Sequence, residues 1–174
     1  MKQFIALCAA LILSACAGKP SFDDPSLGGP KLDLEAYFDG PVVAYGQFQD
    51  VFGKVRRKFE VDITSTWDGK TLTLTEDFTY DDQTTEQRVW VLTKTGDDSW
   101  TGTAGGVLGQ AVGVEQGDRF NWKYRIDLPV PDGTLRVRFD DWMWRLDEKR
   151  VLNRAYMYKA GVLIGEVIIF FEKV

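Results

Sequence analysis

From residue 42 onward the chain is cut at short, regular intervals by turn-forming groups: Asp68-Gly69, Asp81-Asp82, Gly96-Asp97-Asp98, Gly117-Asp118, Pro131-Asp132-Gly133, Asp147-Glu148 and Ala160-Gly161. Between them lie runs dense in β-branched and aromatic residues, many alternating apolar with polar. Tight turns and no helical crossovers mean that consecutive runs pair antiparallel. The pattern predicts about ten strands, at 42–50, 55–67, 71–80, 86–94, 99–104, 107–114, 119–128, 134–144, 151–159 and 162–172. An open meander leaves two unpaired edges, and closure removes both. An up-and-down barrel is the first expectation and a sandwich the second.

Period-two spacing assigns the faces. Phe59, Val61 and Ile63 share one side, as do Leu72, Leu74, Glu76 and Phe78. Arg88 aligns with Trp90 and Leu92; Phe120, Trp122, Tyr124 and Ile126 align with one another; Leu135, Val137, Phe139, Asp141 and Met143 form another set. These sides are expected to line the interior. The last run is apolar on both faces and calls for a cover. The segment Leu32-Asp33-Leu34-Glu35-Ala36-Tyr37-Phe38 has helical spacing, stops at Gly40-Pro41, and is expected to form a short helix packed on or plugging the barrel.

The N-terminus bears on compartment. Lys2, an apolar core from Phe4 to Leu13 too short to span a bilayer, and Leu13-Ser14-Ala15-Cys16 match a bacterial lipoprotein signal. A plain secretory peptide with Cys16 incidental is the alternative. The expectation is a signal peptide at 1–15, a flexible Gly/Pro/Ser/Asp-rich tether at 16–30 with lipidated Cys16, and the barrel domain at 31–174. Ala17, rather than Asp, after the cysteine favours the outer membrane, facing the periplasm. Cleavage takes Cys8 and acylation takes Cys16, leaving neither a free thiol nor an internal disulfide. Removing Lys2 moves the formal charge from −5 to about −6, which argues against nucleic acid as a partner. The chain contains 0 histidines, so Ser-His-Asp, Cys-His and His-zinc chemistry are excluded. An enzyme here would have to use carboxylates, Lys, Tyr or Arg. Whether the chain is an enzyme stays open, with a non-enzymatic role favoured.

In the stretch from Gly102 to Gly113, the small residues Gly105, Val107, Gly109, Ala111 and Gly113 alternate. Small inward residues either leave room for a ligand or are filled by opposite aromatics. The paired acids at turns lack the spacing of a calcium loop, and neither metal nor cofactor is expected.

Arg88-Val89-Trp90, Gly113 through Trp122-Lys123-Tyr124, Leu128-Pro129-Val130, Asp140-Asp141-Trp142-Met143, Leu152-Asn153-Arg154, Met157 and Gly165-Glu166-Val167, together with the lipobox, resemble a family of uncharacterised proteobacterial lipoproteins catalogued as a domain of unknown function. The resemblance spans nearly all of the mature domain. It implies an all-β, lipocalin-like antiparallel barrel of about ten strands with a short N-terminal helix, and it brings no activity.

Ionisable groups on interior faces are costly to bury and therefore mark candidate sites. The residues expected to meet a ligand are Arg88, Trp90, Trp122, Tyr124, Asp141, Met143, Asn153, Arg154 and Glu166. An arginine at the base of an apolar cavity suits a carboxylate or phosphate head, although the same arginine could simply brace the wall against Asp141 or Glu166. The lead expectation is a membrane-anchored protein that binds or shuttles an apolar, acidic-headed molecule such as a fatty acid or lipid. The rival is a protein-interaction or envelope-maintenance module, its partner unknown, docking through Arg136, Arg138, Asp140, Trp142 and Trp144. A third reading is a carboxylate-based enzyme using Asp141 with Glu166 or Glu76 on lipid-like substrates.

Overall fold

The computed structural model describes residues 18–130 and 132–174, so the signal peptide expected at 1–15 and Cys16 lie outside the described residues. A four-residue helix, α1 (Leu34–Tyr37), is followed by ten strands: β1 (Val42–Asp50), β2 (Val55–Trp67), β3 (Thr71–Tyr80), β4 (Thr85–Gly96), β5 (Ser99–Thr103), β6 (Ala111–Gln116), β7 (Arg119–Val130), β8 (Gly133–Arg145), β9 (Arg150–Lys159) and β10 (Val162–Lys173). Each strand pairs antiparallel with its neighbours in sequence, and β1 pairs with β10 from Val42↔Lys173 to Asp50↔Gly165. The sheet is therefore a closed barrel, although the ladder to β5 takes up only Val91–Gly96 of β4.

The strands run to the expected positions within a few residues, except the sixth. Residues 104–110 form a loop laid against β7, with a single bridge Val107↔Ile126 and a hydrogen bond from Leu108 N to Arg125 O of 2.9 Å. Gly106 and Gly109 have φ of +81° and +73°, which an extended strand does not allow, and pairing resumes only at Ala111. In β6 the side chains of Ala111 and Glu115 are buried between strands, and Gly113 lies with them. A Cβ on Gly113 would stand 2.3 Å from Trp122 Cε3 and 2.5 Å from Phe120 Cζ. The small residues there are matched by aromatic rings from β7.

One end of the barrel is closed. Leu32, Leu34, Tyr37 and Phe38 are buried among the strand ends. Leu32 N donates to Gly117 O and Leu34 N to Glu115 Oε1, each at 2.9 Å, and Tyr37 Oη donates to Lys149 O at 3.0 Å. Phe38 meets Phe171 edge-on at 6.0 Å, and Lys94 pairs with Glu35. The helix is too short to hold itself together in water. It persists because its apolar residues stop the barrel and its backbone groups find partners there. It does not cover the outer face of β10, where Ile168 and Phe170 stay half-buried beside Tyr45.

Residues 18–30 are not a free tether. Asp118 Oδ2 accepts from Ser26 Oγ at 2.8 Å and from Leu27 N at 2.9 Å. Arg119 Nη1 donates to the carbonyls of Ser21 at 2.8 Å and Asp24 at 3.0 Å, and Phe22 packs on Trp142 with centroids 4.9 Å apart. Lys19 Nζ sits 4.6 Å over the Tyr158 ring. The segment thus climbs the outside wall from the closed end toward the other. Among the described residues, no helix is long and apolar enough to cross a membrane.

Candidate functional site

The barrel encloses a cavity of about 450 Å³, stopped below by Leu34 and Phe38 and opening at the end that carries the β1–β2, β3–β4, β7–β8 and β9–β10 turns. Phe48, Phe59, Phe78, Ile126, Leu135, Phe139 and Met157 are among the apolar side chains that line it. These are the inward members of alternating strands, so the lining follows from the period of the sequence.

A belt of polar groups crosses this apolar space at mid-height. Glu76 and Arg88 stand directly opposite each other on β3 and β4. Asp141 pairs in register with Trp122 on β7 and Ala155 on β9, and Tyr124 stands opposite Phe139. Asn153 Nδ2 donates to Asp141 Oδ1 and to the Trp142 carbonyl, the latter at 3.0 Å, while its own Oδ1 is buried with no hydrogen-bond partner in the protein. Arg88 Nη2 donates to Glu86 Oε1 at 2.8 Å, and Glu86 Oε2 also accepts from Tyr80 Oη at 2.8 Å. A guanidinium has five N–H donors, so this pair leaves Arg88 with donors to spare. Arg57, its guanidinium 3.3 Å from the centre of the Tyr80 ring, lines the cavity nearer the opening.

The low-dielectric surroundings act strongly on the two carboxyls. Burial pushes Glu76 up to about 7, against the pull of Arg88 and with added repulsion from Asp141 and Glu86. Burial also pushes Asp141 up to about 7, opposed by the Asn153 amide and reinforced by Asp140. Burial raises the Tyr124 hydroxyl well above its ordinary value, with Asp141 next in effect. Near neutral pH the belt therefore offers one fixed cation, two carboxyls able to donate or accept a proton, a phenol and an unpaired amide oxygen.

Of the residues singled out in the sequence, Arg88, Trp90, Trp122, Tyr124, Asp141, Met143 and Asn153 line this cavity. Arg154 and Glu166 do not. They lie on the outer face, paired with each other, and Arg154 also stacks over Tyr156 at 4.8 Å. The phase of β10 was ambiguous because Val167, Ile169 and Phe171 line the cavity while Ile168 and Phe170 lie on the other face, and the register shifts between Leu163 and Gly165. A two-carboxylate site built from Asp141 and Glu166 is excluded, since the wall stands between them.

The proposed docking face is also different from expectation. Trp142 is only 5% exposed, covered by Phe22 and flanked by Trp144, Tyr156 and Tyr158. Its indole donates to Asp140 Oδ1 at 3.1 Å, and Asn121 Nδ2 donates to the same oxygen at 2.9 Å. The chain's own N-terminal segment occupies this patch. Sequence reasoning passed over Arg57 and Tyr80, which face the cavity near its mouth; their period-two alignment with Phe59 and Phe78 was the available signal. Among the described residues no acidic cluster has the makings of a metal site.

A family model described as "Protein of unknown function (DUF3833)" matches residues 10–173. No curated protein matches the chain. Among solved structures, an S-type phycobiliprotein lyase from Guillardia theta superposes with a TM-score of 0.60 at 9% identity, over 82% of this chain and 93% of that one. A protein of unknown function from the DUF3598 family of Nostoc punctiforme PCC 73102 superposes with a TM-score of 0.59 at 11% identity, over 88% of this chain and 53% of that one. At such identities the likeness is one of fold, and the fold is lipocalin-like.

Proposed function

Since the chain belongs to the DUF3833 family, whose description assigns no function, its role must be read from its own cavity, and we propose that it binds or shuttles an apolar molecule with an acidic head, a fatty acid or lipid, while anchored by lipid at Cys16 to the periplasmic face of the outer membrane. The observation that carries the binding reading is a cavity of about 450 Å³ whose apolar wall is interrupted by one polar belt. That volume lies within the roughly 300–1,000 Å³ of small-molecule sites, and apolar walls with a few convergent polar groups are their usual make-up. The apolar part of the ligand fills the space lined by Phe59, Phe78, Phe139 and Met157. Its head meets the spare donors of Arg88, with protonated Glu76 or Asp141 and Asn153 Oδ1 able to complete the hydrogen bonds. The anchor rests on the lipobox Leu13-Ser14-Ala15-Cys16. The Guillardia theta neighbour of the same fold is an S-type phycobiliprotein lyase.

Native mass spectrometry of the purified protein and displacement of a fluorescent fatty acid test the reading. Bound lipid, micromolar displacement and at least a tenfold loss in Arg88→Gln are the expected results; an empty barrel that takes up no probe overturns it. The belt also favours a second reading. Two carboxyls pushed up to about 7 in a largely apolar pocket are suited to general acid and base roles on a lipid-like substrate. Turnover that vanishes in Asp141→Asn while ligand retention survives would favour it.

A further inference from the structure

We propose that the protein sits mouth-down on the bilayer: the open end of the barrel, with an apolar rim around the β1–β2, β7–β8 and β9–β10 turns, docks on the membrane that holds Cys16, so that ligand passes between bilayer and cavity without crossing water. This rests on the anchored-binder reading above.

Three independent observations meet at this end. The first is the path of the N-terminal segment. It leaves the closed end at Leu32, bonded to Gly117, and ascends the wall until Lys19 lies over Tyr158, two residues short of the Ala160-Gly161 turn. Three residues of chain span at most about 10 Å. Cys16 is thus held within that distance of Lys19, whereas the base of β9 at Arg150 lies roughly 25 Å below Tyr158 at 3.3 Å per residue. The segment cannot simply swing away, because Asp118, Arg119 and Trp142 pin it at three levels.

The second is the rim. Phe52, at the tip of the β1–β2 turn, is 91% exposed, and Val162, at the β9–β10 turn, 65%. Val51 and Val130 are exposed beside them. An exposed phenylalanine on a turn has no partner in the fold, and it is the kind of side chain that inserts into the headgroup–acyl boundary. Asp50 and Asp82 at this end are paired with Arg56 and Arg57.

The third is the cavity itself, whose wall from the belt to this rim includes Phe48, Leu128, Leu135 and Val130 with Arg57 and Tyr80 among them, and which is stopped at the other end by Leu34 and Phe38. A ligand whose head rests at Arg88 would extend its tail toward the opening. Such a molecule lies in a bilayer with its head at the surface, so it enters a mouth resting there head first and without inversion. With the mouth on the membrane its apolar part stays in apolar surroundings throughout, and only the head crosses to the belt.

The test uses the full-length lipidated chain in vesicles of phosphatidylethanolamine and phosphatidylglycerol, with an environment-sensitive dye on Phe52→Cys at the rim or on Lys70→Cys at the closed end. Dye at position 52 should brighten several-fold and be quenched by nitroxide-bearing lipid, and dye at position 70 should show neither change. Equal response at both positions, response only at 70, or a chain that does not stay with vesicles overturns the proposal. In Phe52→Asp, transfer of a fluorescent fatty acid from vesicles into the barrel should slow several-fold with equilibrium affinity unchanged; an unchanged rate counts against passage through the mouth. Ligand retention is measured separately by mass spectrometry. A loaded barrel with the wrong orientation sinks this inference alone, and a mouth-down barrel that never holds ligand sinks the binding reading alone.

Discussion

At the scale of single residues, Glu76 and Asp141 set how the interior responds to pH. Each has a folded value of about 7, above its unfolded value. The folded state therefore holds protons that the unfolded chain has already lost between about pH 4 and 7, and stability falls as pH rises through that window and is lowest above it. For Glu76 the penalty at pH 8 is up to about 3 kcal/mol, so Glu76→Gln should raise the melting temperature by on the order of 5–10 °C at pH 8 and leave it unchanged near pH 4. Thermal unfolding followed by circular dichroism at the two pH values checks this; equal gains at both would locate the effect outside titration. The same ionisation bears on binding. As pH rises from 6 to 8 both carboxyls become anionic around Arg88, and affinity for a carboxylate ligand should fall several-fold. In Asp141→Asn that fall should be shallower, as read by probe displacement across pH. Asp141 and Arg88 could be read as inward because they alternate with Phe139 and Met143 and with Trp90 and Leu92, whereas Asn153 and Arg154 both stayed candidates because their strand carries apolar residues on both faces. Glu166 could not be placed either, because its strand is apolar on both faces and carries a bulge.

At the scale of elements, β6 and α1 show how neighbours decide what local pattern leaves open. The run from Gly102 to Gly113 alternates like a strand, yet half of it is a loop, because Gly106 and Gly109 take up left-handed backbone angles and β7 accepts the Leu108 N–H at Arg125 O and donates Asp127 N–H to Gly106 O. The remaining glycine at 113 is where two rings of β7 close in. Gly113→Val should therefore destabilise the barrel by about 1–3 kcal/mol through overpacking against Phe120 and Trp122, measurable as a lower denaturant midpoint. A midpoint equal to that of the parent chain would mean that the space is empty. The spacing of Leu34, Tyr37 and Phe38 announced a short amphipathic turn. Which of two apolar surfaces it would cover, the barrel end or the back of β10, depended on chain geometry.

At the scale of the molecule, the N-terminal segment from residue 18 is held along the barrel wall. Phe22→Ala should loosen residues 18–27 and uncover Trp142 without unfolding the barrel, because closure is carried by the β1–β10 ladder. The expected outcome is a red shift of tryptophan emission and faster hydrogen exchange at Leu27, whose amide is bonded to Asp118, with strand amides unaffected. Loss of strand protection as well would make the segment an integral stave. Composition suggested a tether here, since Gly, Pro, Ser and Asp without periodicity usually stay in water. The contacts that hold it come from Asp118, Arg119 and Trp142, more than ninety positions away, and no local pattern predicts pairings of that range.

What the sequence determined by itself was the sheet: alternation fixes which side chains share a face, turn groups fix where the chain reverses, and nine reversals without crossovers leave closure as the way to satisfy the edges. It also carried the exclusion of chemistry that needs histidine, since the chain has 0 histidines. Only the tertiary structure decided which end of the barrel is stopped, that Glu76, Arg88, Tyr124, Asp141 and Asn153 from five strands form one belt, and that Phe22 covers Trp142. Local pattern reports the environment a residue requires. Which distant residue supplies it depends on shear and register around the whole barrel, a property that no segment possesses alone.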